Sequence, residues 1–312
     1  MKRFTYSSWG VCAGMVAALV APKASWACAC GCGVFDVATS SMFPTGQGGM
    51  VFLTYAYQDQ NQNYLGASTA PAQNNADKEI ETHFFGVGLQ YMFDNSWGIE
   101  AEIPYSYRHF RTLDEAGNPV TVNWNQLGDM RLRGIYTGFS PDMSGGITFG
   151  VKLPTGSYRF RPDVVDRDSQ LGTGSTDLLL GGFYRHALPK LPLWDWFAQA
   201  ELDLPTLIQA EYRPGLELDA AAGIYYSGLS LGPVRITPIA QVVGSERTSD
   251  RGAQASNPVA SGYQRLMLAP GLEVDYDQFR FYADAEVPVY QHFTGYQLAA
   301  PVLFKVSFSF MF

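Results

Sequence analysis

Three thiols stand close together in the run CACGCG, at Cys28, Cys30 and Cys32, and the rest of the chain adds only Cys12. The small spacers Ala29 and Gly31 let a tight backbone bring two or three sulfurs to one centre. Thiolates suit soft or borderline ions such as Cu(I) and Zn(II), so one reading is a soft-metal or redox site. A second is a disulfide, within the run or to a partner, with one thiol left over. A third is lipidation of Cys28, although Ser25 and Trp26 stand where a lipobox has an aliphatic and a small residue. No Cys-x-x-Cys-His marks covalent haem, and nothing else in the chain requires a cofactor.

The other residues able to do chemistry are charged side chains spaced two apart. The acids of this set are Glu100, Glu102, Asp129, Asp177, Glu201, Asp203, Glu217, Asp219, Glu273, Asp275, Asp284 and Glu286. The bases are Arg131, Arg133, Lys152, Arg185, Arg235, Arg265, Arg280 and Lys305. Asp129 with Arg131, and Arg280 with Asp284, are expected partners. The acids outnumber the bases, and Glu201/Asp203 with Glu217/Asp219 concentrate negative charge, which points to a cation-favouring constriction. Histidine is scarce: His83, His109, His186 and His292 sit in no motif that supplies a nucleophile or its orienter. No enzyme is expected.

The elements that must position these groups show themselves by period-two alternation, the mark of strands with two unlike faces. In VLFKVSFSFMF the residues Val302, Phe304, Val306, Phe308, Phe310 and Phe312 share one face, and Lys305, Ser307 and Ser309 the other. Stretches 278–290 and 99–108 repeat the pattern. Twelve such segments lie near 50–58, 80–93, 97–108, 128–139, 145–156, 174–187, 195–205, 214–228, 231–243, 261–276, 278–290 and 300–312. Many exceed the usual five or six residues of soluble strands and suit a tilted bilayer crossing. Short turns alternate with long polar loops. Aromatic residues gather near segment ends (Tyr91, Phe93, Trp97; Trp194, Trp196, Phe197; Tyr225, Tyr226), as membrane girdles do. Phe312 at the close of a strand is similar to an outer-membrane assembly signal.

Together these features predict an all-β fold: a transmembrane antiparallel β-barrel of about twelve strands, with short periplasmic turns and longer extracellular loops. Closure in lipid leaves no strand edge unsatisfied. Residues 1–27 read as a signal peptide, with Lys2 and Arg3, an apolar stretch, and Ser25-Trp26-Ala27 at the cleavage site. Residues 28–49 form a periplasmic or lumen segment able to meet a periplasmic partner, and 50–312 form the barrel. The formal net charge of −8 excludes a basic nucleic-acid footprint. The expected location is the bacterial outer membrane, in contact with its lipid and with both termini periplasmic.

The middle of the chain carries three phrases: LGDMRLRGIYTGF at 127–139, GITFGVKLPTGSY at 146–158 and LGTGSTDLLLGGFYRH at 171–186. Their succession resembles a family of outer-membrane transporter-like barrels, the MetA-pathway phenol-degradation type. The resemblance covers residues 127–186 and implies passage of small solutes, often aromatic or hydrophobic. Locally, Pro154 cannot donate to a ladder and ends a strand. Gly156, Gly172 and Gly174 flank loop 157–173, which is either solvated or folds into the lumen as a constriction. Two functions follow: a channel for small aromatic, hydrophobic or cationic solutes, or a plugged scaffold whose cysteine segment binds a soft metal or a redox partner.

Overall fold

A computed structural model describes residues 43–114, 116–256 and 259–312. Sixteen strands form among the described residues: β1 (Gly48–Gln60), β2 (Gln62–Gly66), β3 (Ser68–Thr69), β4 (Glu79–Met92), β5 (Trp97–Leu113), β6 (Pro119–Leu127), β7 (Met130–Tyr136), β8 (Gly145–Leu153), β9 (Ser175–Leu188), β10 (Leu191–Ile208), β11 (Glu217–Tyr226), β12 (Leu229–Leu231), β13 (Val234–Arg247), β14 (Tyr263–Tyr276), β15 (Phe279–Ala299) and β16 (Leu303–Met311). Twelve of them build a closed antiparallel barrel in the order β1, β4, β5, β7, β8, β9, β10, β11, β13, β14, β15, β16. The last strand pairs with the first from Met50↔Met311 to Gln58↔Leu303, so no edge remains. Closure satisfies every ladder in lipid, where an open edge would cost several kcal/mol per group.

The alternation read in the sequence sets the faces. Val51, Leu53, Phe85, Val87, Leu89, Ile99, Ile103, Phe279, Phe281, Phe304 and Phe308 point out and are exposed. Their inward neighbours are polar, small or tightly packed. Rings cluster on the outer surface near the tight turns: Trp97 and Tyr136 lie 4.7 Å apart, and Trp194 and Tyr226 lie 5.1 Å apart. A second outer group, Tyr55, Tyr57, Tyr105 and Tyr107, sits toward the long loops, with His83 among them. Phe197 and Tyr225, expected in the girdle, instead face inward. Parity explains it, because Trp196 and Tyr226 beside them already point out.

The structure extends several expected segments. β5 continues to Leu113 and pairs with β6 in a hairpin that rises from the barrel. Residues 109–127, expected as loop, are therefore ladder up to the turn, where Asp114 accepts hydrogen bonds from the backbone of Ala116 and Asn118. The run VTVNWNQL alternates like the rest of the wall. β15 likewise runs to Ala299 and pairs above the barrel with β2. β7 is shorter than the expected 128–139. Residues 128 and 129 leave the ladder, and Thr137 begins the next turn.

Both described ends of the chain, 43–49 and Phe312, lie at the tight-turn end. There Gly49 and Phe312 exchange backbone hydrogen bonds of 2.8 and 2.9 Å. The long connections 61–78, 154–174, 209–216 and 248–262 gather at the opposite end. Cys28, Cys30 and Cys32 lie outside the described residues.

Candidate functional site: the barrel interior and its loop-end stopper

Inside the wall, the charges that the sequence places on the inner face are brought together and mostly buried. One network crosses the β4–β10 side. Arg133 on β7 donates bidentately to Glu201 on β10, at 2.7 and 2.8 Å, and to Glu100 on β5 at 2.9 Å. Gln90 donates to the other oxygen of Glu100 at 3.1 Å, and Glu102 stands 3.8 Å from Arg133. The strands between Arg133 and Glu201 present the small inward residues Thr148, Gly150 and Gly181, which leave room for the long side chain. One row toward the loops, Lys152 sits between Asp177 at 2.6 Å and Asp203 at 2.5 Å, and Arg131 pairs in register with Lys152.

A second network covers the β11–β16 side. Asp275 accepts from Arg235 and Arg280, each at 2.7 Å, and Glu273 lies 3.6 Å from Arg280. Asp284 accepts from Tyr282 at 2.5 Å and from Gln241 at 3.1 Å. Lys305 stands 3.5 Å from Glu286. Arg280 thus takes Asp275 rather than the expected Asp284, because its cross-strand partner in register is Asp275. Glu217 accepts the hydroxyl of Tyr263, and Arg265 lies 4.0 Å from the centre of the same ring. Asp219 is buried on the inner face of β11. Arg185 donates to the Pro44 carbonyl at 3.2 Å.

The charges form pairs rather than a bare acidic ring. Glu201 and Asp203 hold Arg133 and Lys152, so the expected concentration of negative charge is largely neutralised. Two cations outside the expected set, Arg108 and Arg247, are buried at the loop end and bring the interior nearer to charge balance. Arg247 donates to Asp250 at 2.7 Å. Arg108 falls on the inner parity of the expected segment 97–108, whereas Arg247 lies beyond the expected 231–243, on the extension of β13 to Arg247.

Asp129 is placed elsewhere. It lies between β6 and β7, not on the wall, and does not take Arg131 among its hydrogen bonds. Its carboxylate accepts the Gly156 N–H at 2.9 Å, the Thr173 N–H at 2.8 Å and the Thr173 hydroxyl at 2.6 Å. The preceding Gly128 bonds to the Pro104 carbonyl, so the chain bulges there and Asp129 turns toward the loop. Thr155 completes the knot, donating to Gly128 O and accepting from the Met130 N–H. Gly156 and Gly172 approach so closely that a Cβ on Gly172 would lie 2.4 Å from Gly156. The three phrases at 127–130, 154–157 and 171–174 thus meet at one junction, the two roots of loop 154–174.

From that junction the loop folds into the barrel mouth. Val164 and Val165 are buried against Ile80 of β4, Phe110 of β5, Trp124 of β6 and Leu298 of β15. Phe160 stacks on Trp124 at 5.0 Å. Arg108 is fully buried on the inner face of β5, donating to Thr82 at 2.9 Å and to the Ser169 carbonyl at 2.6 Å. Arg167 lies between the rings of Tyr158 at 4.0 Å and Tyr212 at 4.4 Å, and donates to the Thr173 carbonyl. Tyr212 in turn donates to Asp250 at 2.7 Å, which also accepts the Gly215 N–H. Loops 154–174, 209–216 and 248–262 are therefore tied into one cap. Loop 157–173 thus packs over the loop end of the barrel instead of standing free in solvent.

Two carboxyls at the loop end, Asp77 of connection 61–78 and Asp166 of the cap, lie outside the wall and are shifted by burial. Asp77 is buried beneath Thr112, which donates to it at 2.7 Å, and desolvation holds its carboxyl well above the usual range. Asp166, near enough to repel it, is pushed up to about 6 by desolvation.

Among solved structures the chain is similar to the COG4313 outer membrane channel from Pseudomonas putida F1, with a TM-score of 0.65 and 10% identity over 89% of this chain and 100% of that one. The chain has the fold of an outer-membrane β-barrel. The beta domain of the Bordetella autotransporter BrkA shares the barrel more distantly, with a TM-score of 0.51 and 13% identity over 85% of this chain and 100% of that one. No family model and no curated protein matches the chain.

Proposed function

We propose that this barrel is an outer-membrane channel for small solutes, held shut by loop 154–174. The observation that carries the reading is the seat of Val164 and Val165 inside the mouth, on a loop anchored at Asp129 and clamped at Arg167. A structural barrel needs no inserted loop. A regulated passage does, and barrels commonly tune permeation with side chains lining the lumen. The Pseudomonas neighbour is itself an outer membrane channel, which agrees with this reading.

The paired interior charges leave little net field to select cations over anions, and the lumen suits small neutral or amphipathic solutes as well as small ions. Both described chain ends lie at the tight-turn end, which supports a periplasmic position for that end and an extracellular position for the cap. Solute entry into liposomes tests the function. Arg167→Ala releases one clamp of the stopper, and the expected result is faster entry of a small neutral sugar than through the unmodified protein. Equal, negligible entry through both folded proteins would remove the reading.

A further inference from the structure

The tight-turn mouth carries its own closure. Phe43 is the one ring of the largest interior cluster that no strand delivers. It stacks flat on Phe183 of β9, with centroids 4.7 Å apart and planes 10° apart, and meets the edge of Phe197 of β10 at 6.0 Å. Phe183 and Phe197 share inward parity, opposite the outward Tyr184 and Trp196, so Phe43 lies inside the barrel and is only 5% exposed. Phe183 also packs against Met92, Ile135 and Met143, which places the contact beside the turns.

The connection between Phe43 and the wall is built differently from its seat. Phe43 and Pro44 are buried, whereas Thr45, Gly46 and Gln47 are exposed. Gly46 has open space around its Cβ position, and Gly48 holds φ at +128°, a value L side chains rarely adopt. Gln47 is fixed from outside by a 2.8 Å hydrogen bond to the Phe93 carbonyl. The strap thus has a fixed foot at β1, a glycine hinge and an aromatic bolt. Its described hydrogen bond inside the lumen is the one from Arg185 to Pro44.

We propose that Phe43 is the bolt of an intramolecular latch that closes the tight-turn mouth, with Phe183 and Phe197 as its seat and 43–48 as its hinge. This rests on the channel reading and adds a second gate in series with the loop-end cap. Two gates in series give a specific pattern. Removing either alone raises conductance only partway, because the other still narrows the path, and removing both raises it beyond either single change.

The test is planar-bilayer conductance of the full chain carrying Phe43→Ala, Arg167→Ala or both, each checked for folding by heat-dependent mobility on a gel. The expected result is at least a severalfold larger mean current for the double variant than for Arg167→Ala. Phe183→Leu, which keeps an apolar side chain but removes the stacking face, is expected to act like Phe43→Ala. Phe43→Tyr is expected to stay closed. If Arg167→Ala conducts and adding Phe43→Ala or Phe183→Leu changes nothing, the latch is overturned and the channel stands. If the folded double variant passes no current, both fall.

Discussion

Asp129 and Arg133 show how differently two buried charges act in one barrel. Asp129 accepts three hydrogen bonds from the loop roots, and hydrogen bonds to a charged group contribute roughly 1.5–3 kcal/mol each. Asp129→Ala strands two backbone N–H groups at a junction too tight for a replacement side chain. The expected outcome is a barrel that still folds but whose loop 154–174 is cut by added protease faster than in the unmodified protein. Arg133 joins Glu100 and Glu201 across the interior. Arg133→Met leaves two largely buried carboxylates without their cation, Glu100 keeping Gln90, a change that costs up to about 3–5 kcal/mol when a buried pair is broken. Urea unfolding in lipid vesicles measures it, and a midpoint unchanged from the unmodified protein would refute the assigned role. The inner-face charges were legible because parity alone assigns a wall residue to a face. Their partners were not, since Arg133 and Glu201 are far apart in sequence and meet across two intervening strands. Asp129 misled for a related reason: a one-residue bulge at Gly128 cancels the parity rule.

Among elements, loop 154–174 is the proposed gate, and its Asp166, with Asp77 of connection 61–78 beside it, makes its seating depend on pH. Asp166 is pushed up to about 6 by burial and desolvation holds Asp77 well above its usual range, with Lys78 and Thr112 the polar groups beside Asp77. A carboxyl whose folded pKa is raised contributes stability below its ordinary value near 4 and loses it as pH rises through the folded value. The loop therefore seats more firmly at about pH 5 than at about pH 7.5. Conductance is expected to rise across pH 6, and Asp166→Asn is expected to flatten that step. A step of the same size and midpoint in Asp166→Asn would place the switch elsewhere. Arg167 works in the same element. Its two ring contacts are worth about 0.5–2 kcal/mol each, enough to matter for a loop but not for the barrel. The sequence showed this loop only as a run of charges. The signal for packing lay in Phe160, Val164 and Val165, apolar residues that a solvated loop has no reason to carry.

At the scale of the molecule, twelve strands, their order and most of their faces could be read from alternation, because a closed meander pairs each wall strand with its sequence neighbour. What fills the barrel could not. Period two reports which side of the wall a residue faces and nothing about segments that enter from the ends. Phe43 and the Val164-Val165 tip both belong to such segments. The interior accordingly differs from a bare acidic pore: paired charges line its middle, Val164 and Val165 pack at the loop end and Phe43 packs inside the tight-turn end. The most direct test compares single-channel currents of the unmodified protein with those of a variant in which residues 159–170 are replaced by a short glycine-serine linker, leaving the Asp129 junction intact. Near-silent bilayers are expected for the first, and frequent, larger openings for the second. Silent bilayers from both, with each protein folded and inserted, would contradict a channel stoppered by its own loop.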